Sequence, residues 1–194
     1  MHNQLEKEKQ RKRRNKETLI DHHYITSGKY SNKIRILSNS NDLNRTICKS
    51  AREMLENRSG TEFEDMYWID LDTCQVVAKE TNQKEKGKVI YSKSTKKLIT
   101  RQNNLLAMHN HPHSTLPSIA DFNSAYENKY KICLIICHNG KIYSYNCYEK
   151  ISKWYYNVKL MEFSKKHKNE DEAAWETLKD FERNGKIYIK EIVI

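Results

Sequence analysis

The side chains of this sequence that could bind a metal ion lie in one short segment. His109 and His111 are two residues apart, where the apolar run 105–108 ends, and Pro112 follows directly. Two imidazoles in this place can turn toward a common point once the strand pleat breaks, and the fixed φ of Pro112 holds the backbone there. Asp121 lies one turn into the next predicted helix, where its carboxylate can reach the same point and gains from the helix dipole. The spacing therefore predicts a metal site with these three ligands.

Two histidines and one aspartate are typical of a catalytic metal site. Zn²⁺ binds four ligands tetrahedrally, so three protein ligands leave one position open for water. The ion lowers the pKa of that water from about 15.7 to about 7 and can polarise a carbonyl oxygen. We therefore expect Zn²⁺ as the cofactor and hydrolysis as the reaction, with a further group that moves the proton.

A family resemblance extends this hypothesis. The pattern His-x-His-Pro at 109–112, a loop, then Ser-x-x-Asp at 118–121 resembles the signature of the JAMM (MPN+, JAB-domain) zinc metalloproteases. With Asn110 between the histidines, the chain is nearer to the bacterial RadC-like and phage-borne members than to the eukaryotic deubiquitinases. The resemblance covers roughly residues 60–148. It implies an α/β fold, the MPN-like (cytidine-deaminase-like) mixed β-sheet flanked by helices, and hydrolysis of a peptide or isopeptide bond in a protein or peptide substrate.

The resemblance also implies roles for two further side chains. In that family a glutamate at the start of the first core strand positions the water and carries its proton. Glu62 and Glu64 both precede the apolar stretch 66–69, and alternation places both on one face of an extended chain. Glu64 is the preferred base, because it lies three residues before the first hydrophobic pair of the strand, as the family's glutamate does. Glu62 is the alternative. Ser118 corresponds to the residue that stabilises the oxyanion of the tetrahedral intermediate.

The surrounding elements follow from hydrophobic periodicity and turn signals. Helical spacing over 41–57 predicts a helix that ends near Gly60, and Asn139-Gly140 predicts a hairpin turn. The remaining predicted elements are a strand hairpin over 66–71 and 75–78, a loop over 80–88, a brief strand at 89–91, a helix over 92–101, strands over 105–108, 132–137 and 141–145, a helix over 118–128, two helices after 148, and a last strand at 187–189.

Composition and charge divide the chain into three parts. A length of 194 residues favours one domain with appendages. Residues 1–40 are interpreted as a basic, flexible arm, because seven lysines and arginines fall within 7–16 and the net charge is +10. Residues 41–148 form the predicted metallohydrolase domain. Residues 149–194 form a helical extension that ends in a strand and packs on the same domain.

Charge and cysteine usage bear on partners and compartment. The basic stretch is interpreted as a solvated arm, with contact to nucleic acid as the alternative, and the sequence leaves the oligomeric state open. Five cysteines without a Cys-x-x-Cys pair favour reduced thiols. No apolar run is long enough to predict a membrane span and no signal peptide is recognisable, so we expect a cytoplasmic protein without membrane contact. Two alternative functions stay open, a RadC-like protein of phage or mobile-element origin that acts near nucleic acid, and an inactive MPN-type binding module.

Other reactive or aromatic side chains have simpler interpretations. His113 follows the motif and is expected to be an exposed loop residue. Cys133 and Cys137 lie four apart on a predicted strand, where buried thiols are packing residues. The aromatic stretch 154–156 is interpreted as helix packing rather than as a ligand platform.

Overall fold

One mixed β-sheet organises the molecule. The computed structural model describes residues 16–167 and 169–194. The strands are β1 (Met66–Asp70), β2 (Gln75–Glu80), β3 (Leu105–His111), β4 (Ile132–Cys137), β5 (Ile142–Cys147) and β6 (Ile187–Glu191). They lie in the order β2-β1-β3-β4-β5-β6. The pairing of β3 with β4 is parallel, and the other four pairings of this sheet are antiparallel.

Helices cover both faces of this sheet. After a 3₁₀ turn at Lys16–Thr18, the helices are α1 (His22–Thr26), α2 (Gly28–Arg35), α3 (Asn41–Arg58), α4 (Lys93–Ile99), α5 (Ile119–Asn128), α6 (Lys153–Ser164) and α7 (Glu170–Arg183). Side chains alternate between the faces of each strand. Leu106 and Met108 of β3 therefore pack in one core with α1 to α3, while Leu105 and Ala107 pack in the other with α4, α5 and α7. The result is a three-layer α/β architecture.

The strongest sequence patterns are confirmed. The helix predicted over 41–57 is α3, which Ser40 caps by accepting a hydrogen bond from the backbone N–H of Leu43. The predicted hairpin over 66–78 is β1 and β2, and the continuous apolar run 132–137 is β4, buried on both faces as such runs usually are. The helix predicted to begin at Ser92 is α4, with that serine as its N-cap.

The interpretation of residues 1–40 as a flexible arm is wrong for 17–40. Ile25, Tyr30 and Ile34 of α1 and α2 are fully buried against α3 and the sheet. Tyr24 packs so closely on the turn between β4 and β5 that a Cβ at Gly140 would lie 2.3 Å from its ring, and Gly140 also has a φ of +82°. Residues 1–15, which hold nearly all of the basic arm, lie outside the described residues.

The C-terminal segment shares the central sheet. β6 pairs with β5, and Leu178 and Phe181 of α7 are buried in the core that includes α5. The prediction of helix packing is right for Tyr155 and Tyr156, whose rings contact Phe181. It is wrong for Trp154, which is 73% exposed because it lies on the outer face of α6.

The brief strand predicted at 89–91 does not form. Backbone groups of Ile90 are bonded instead by the buried side chain of Gln83, which accepts from its N–H at 2.7 Å and donates to its C=O at 3.4 Å. An amide side chain therefore takes the place of a neighbouring strand. Among the described residues, no helix is both long and apolar enough to cross a bilayer.

Candidate metal centre

The two histidines belong to strand β3 itself. The prediction that the pleat breaks at this point is wrong, because β3 continues in register with β4 as far as His111. Residues two apart on a strand share a face. His109 and His111 therefore point together toward α5 without any irregularity, and both are nearly buried, at 3% and 6% exposure.

The three predicted ligands converge. The Nε2 atoms of His109 and His111 are 3.0 Å apart. Asp121 Oδ1 lies 3.3 Å from His109 Nε2, and Asp121 Oδ2 lies 3.5 Å from His111 Nε2. One ligand atom from each residue falls within a span of 4.8 Å, the only such group of three histidine, cysteine or acidic residues found in 16–167 and 169–194.

Ser118 aims the carboxylate of Asp121. Its backbone N–H donates to Asp121 Oδ2 at 2.7 Å, and its hydroxyl oxygen accepts from the backbone N–H of Asp121 at 3.2 Å. This reciprocal pair is a capping box at the start of α5. The cap leaves the hydroxyl proton of Ser118 available, and the side chain lines the cleft beside the cluster.

Thr115 orients the ring of His111. The Nδ1 of His111 lies 3.0 Å from both the carbonyl oxygen and the hydroxyl of Thr115. An N–H at Nδ1 that donates to the carbonyl leaves Nε2 as the bare nitrogen that faces the cluster, which is the tautomer a metal ligand needs. Within the described residues, Nδ1 of His109 is buried without a hydrogen-bond partner.

The structure separates the two candidate glutamates. Glu64 lines the cleft and interacts electrostatically with His109, His111 and Asp121. Glu62 instead forms an ion pair with Lys86 and lies 3.8 Å from His113. Residues 62–64 are not assigned to a strand, and of the two glutamates only Glu64 lines the cleft.

Burial and charge set the protonation of the cluster. Burial raises the pKa of Glu64, and the two histidines only partly oppose this effect. Burial also raises the pKa of Asp121, but His109 and His111 outweigh it and the net shift is strongly downward. Burial lowers the pKa of His109, and the carboxylates of Asp121 and Glu64 reverse that shift. The carboxylates of Asp121 and Glu64 thus favour a positive charge at His109.

The cluster opens into a cleft of about 400 Å³. One wall comes from the segment Gly87–Val89, and the loop after β3 contributes His113, which is half exposed as expected. The inner wall contains Tyr91, Tyr130 and Tyr145, which the sequence reasoning missed. They come from three distant segments, and each alone has the spacing of an ordinary core residue.

The residues fit a divalent metal ion that accepts both nitrogen and oxygen ligands. Two imidazole nitrogens and one carboxylate, with a position open toward the cleft, match the donor set of catalytic zinc sites. Cys133 and Cys137 are not part of the set, because both are fully buried in the core as predicted. Comparison with protein-family models, with curated proteins and with solved structures found no match to this chain.

Proposed function

We propose that this protein is a zinc-dependent hydrolase of the JAMM type that cleaves a peptide or isopeptide bond. The observation that carries the proposal is the convergence of His109 Nε2, His111 Nε2 and the Asp121 carboxylate at the wall of an open cleft that Glu64 also lines. The MPN-like identity of the fold is part of the same proposal, supported by the mixed sheet with helices on both faces and by the His-x-His strand before α5.

Two of the three proposed ligands are held in place by hydrogen bonds from neighbouring groups. His111 presents Nε2 because Thr115 holds its Nδ1, and Asp121 presents its carboxylate because Ser118 holds one of its oxygens. When bound there, Zn²⁺ supplies a Lewis acid that activates water and polarises the scissile carbonyl. The ligands sit on two rigid elements, β3 and α5, so little reorganisation is needed on binding.

Glu64 is the proposed general base and acid. Its carboxylate takes a proton from the attacking water and returns it to the nitrogen of the leaving amine, so that the protein ends the cycle unchanged. A raised pKa suits the first role, because it makes the Glu64 carboxylate a stronger base toward the attacking water. The hydroxyl of Ser118 lies at the cleft wall and accepts in the cap, so its O–H can donate a hydrogen bond elsewhere. It donates this bond to the oxygen that gains negative charge in the tetrahedral intermediate.

The test combines metal content with hydrolysis. Purified protein is analysed by plasma mass spectrometry without added metal, and then incubated with a quenched-fluorescent library that contains both α-peptide and lysine ε-amide bonds. Wild type and Glu64→Gln should each carry close to one zinc per chain, and His109→Ala and Asp121→Asn should lose it. Glu64→Gln should hydrolyse its best substrate about 10²- to 10⁴-fold more slowly, because it lacks the proton acceptor.

His22→Ala is the matched control. His22 is 70% exposed and lies outside the cluster, so its loss should change neither zinc content nor rate. A stable wild type without metal contradicts the proposal. A wild type that holds zinc but hydrolyses nothing in the library would favour the alternative of an inactive MPN-type binding module. The RadC-like alternative near nucleic acid stays a prediction, because the arm on which it depends lies outside the described residues.

A further inference from the structure

The residue between the two histidine ligands lies on the opposite face of β3. Because side chains alternate along a strand, Asn110 points away from the cleft, into the layer that holds Leu106 and Met108. It is fully buried. A buried amide is costly unless its polar groups are bonded, so the partners of Asn110 show what the position requires.

The side chain of Asn110 forms hydrogen bonds with the backbone of the two residues on either side of Glu64. Its Oδ1 accepts from the backbone N–H of Asp65 at 2.7 Å, and its Nδ2 donates to the backbone carbonyl of Phe63 at 3.2 Å. Sheet pairing between β1 and β3 ends at the pair Met66 and His109. The stretch that carries Glu64 therefore lies beyond the regular ladder. One backbone bond, from the N–H of Asn110 to the carbonyl of Asp65 at 3.4 Å, and the two bonds of the Asn110 side chain connect it to β3.

A second buried side chain holds the amide in place. The other N–H of Nδ2 donates to His138 Nε2 at 3.0 Å, and His138 Nδ1 lies 2.6 Å from the carbonyl oxygen of Thr18. These partners require Nδ1 to carry the proton and Nε2 to accept, so His138 is neutral. With both of its N–H groups donated and its oxygen accepting, Asn110 has one orientation.

The ion pair of Asp65 with Arg58 anchors the same stretch from its other side. Both side chains are nearly buried, and Arg58 also donates to the carbonyl of Thr81. Residues 63–65 are thus tied to β3, to the end of α3 and to the chain after β2. Alternation along this extended stretch leaves Glu64 as the side chain that turns back toward the cleft.

We infer that Asn110 is a positioning residue, which holds the carboxylate of Glu64 in the cleft beside His109 and His111, within reach of the water whose proton it takes. This inference rests on the proposed function, because it assigns Asn110 a role through Glu64. Asparagine suits the task since it offers two donors and one acceptor in a plane. Aspartate could accept from Asp65 but could not donate to Phe63, and serine is too short to bridge both.

The experiment is a double-mutant cycle on the substrate found in the library above. Asn110→Asp and the neutral Asn110→Ser are each made in wild type and in Glu64→Gln. In wild type we expect kcat to fall about 10- to 100-fold, with zinc content close to one per chain and KM within about threefold. In Glu64→Gln the same changes should lower kcat by less than about threefold, because the group that Asn110 positions is already inactive.

Asn44→Asp and Asn44→Ser are the matched controls. Asn44 is also buried and donates through Nδ2 to two backbone carbonyls, those of Arg35 and Ser38, yet it lies in the first turn of α3, away from the cleft. Its variants should lose stability without loss of kcat. An equal loss of kcat from Asn44 variants, or an undiminished effect of Asn110 variants in Glu64→Gln, would overturn the inference. If the wild type holds no zinc, or if Glu64→Gln does not slow hydrolysis, the proposed function itself is refuted. The role of Asn110 is then refuted as well, because it depends on that function.

Discussion

His138 should make the stability of this protein depend on pH in a defined window. Its ring is 2% exposed, and burial lowers its pKa from 6.5 to about 4, against the opposing hydrogen bond to Thr18. Between these two pH values the unfolded chain binds a proton that the folded protein does not. The free energy of unfolding therefore falls as the pH is lowered from about 6.5 to about 4, and is unaffected by this group above that window.

The size of the effect follows from the two pKa values. Each pKa unit corresponds to about 1.4 kcal/mol, so the gap between 6.5 and about 4 gives a loss of about 3 kcal/mol by pH 4. Protonation at Nε2 would also place an N–H against the amide N–H of Asn110. The hydrogen-bond geometry and the lowered pKa thus predict the same direction.

The assay is urea unfolding of metal-free protein at several values between pH 7.5 and pH 4, for wild type and His138→Gln. Glutamine can accept from Asn110 through its oxygen and donate to Thr18 through its nitrogen, but it does not titrate. Every other ionisable group is the same in both proteins, so the difference between the two unfolding free energies isolates His138. If the difference between the two unfolding free energies changes by less than about 1 kcal/mol between pH 7.5 and pH 4, the reasoning is refuted.

Three further predictions concern stability, and all are read from the free energy of unfolding in urea. Arg58→Met should destabilise the fold by about 3–5 kcal/mol, because it removes the buried ion pair between Arg58 and Asp65. The exposed Arg45→Met is its control, expected within about 0.5 kcal/mol, and equal effects would contradict the assigned burial. Phe181→Ala should cost about 3–5 kcal/mol in one cooperative transition, since it opens a cavity in a core that includes α5, and two separate transitions would show that the C-terminal segment is independent. Trp154→Ala should change stability by less than about 0.5 kcal/mol, and a larger loss would mean that the exposed face of α6 is covered.

The parts of the fold that could be predicted have strong local patterns. Helix α3 has apolar residues at helical spacing between a serine cap and a glycine, and β4 is an unbroken apolar run. The convergence of the three proposed metal ligands could be predicted because their spacing is itself the signal. His109 and His111 share a strand face whether or not the strand ends between them, so the wrong expectation of a broken pleat did not affect the ligand set.

What could not be predicted depends on contacts between distant segments. The arm expected over 1–40 was argued from the lysines and arginines within 7–16, but only five residues of 17–40 are charged. In that part of the chain, tertiary packing of Ile25, Tyr30 and Ile34 makes a core. The choice between Glu62 and Glu64 could be argued only from family spacing, because alternation treats both alike in an extended chain. The structure separates them through Lys86 and His113, which bind the first and leave the second in the cleft.

The placement of the proposed ligands along the chain has a consequence for the order of assembly. All three lie within 109–121, on one strand and the helix that directly follows it, whereas Glu64 comes from a segment on the far side of α4. Closing a short loop costs less entropy than closing a long one. We therefore expect the ligand set to form early in folding, before β1 docks beside β3, so that a partly folded chain could already capture metal. Metal bound to a variant would then show only that the segment 109–121 has folded. It would not show that Glu64 has reached its position in the cleft.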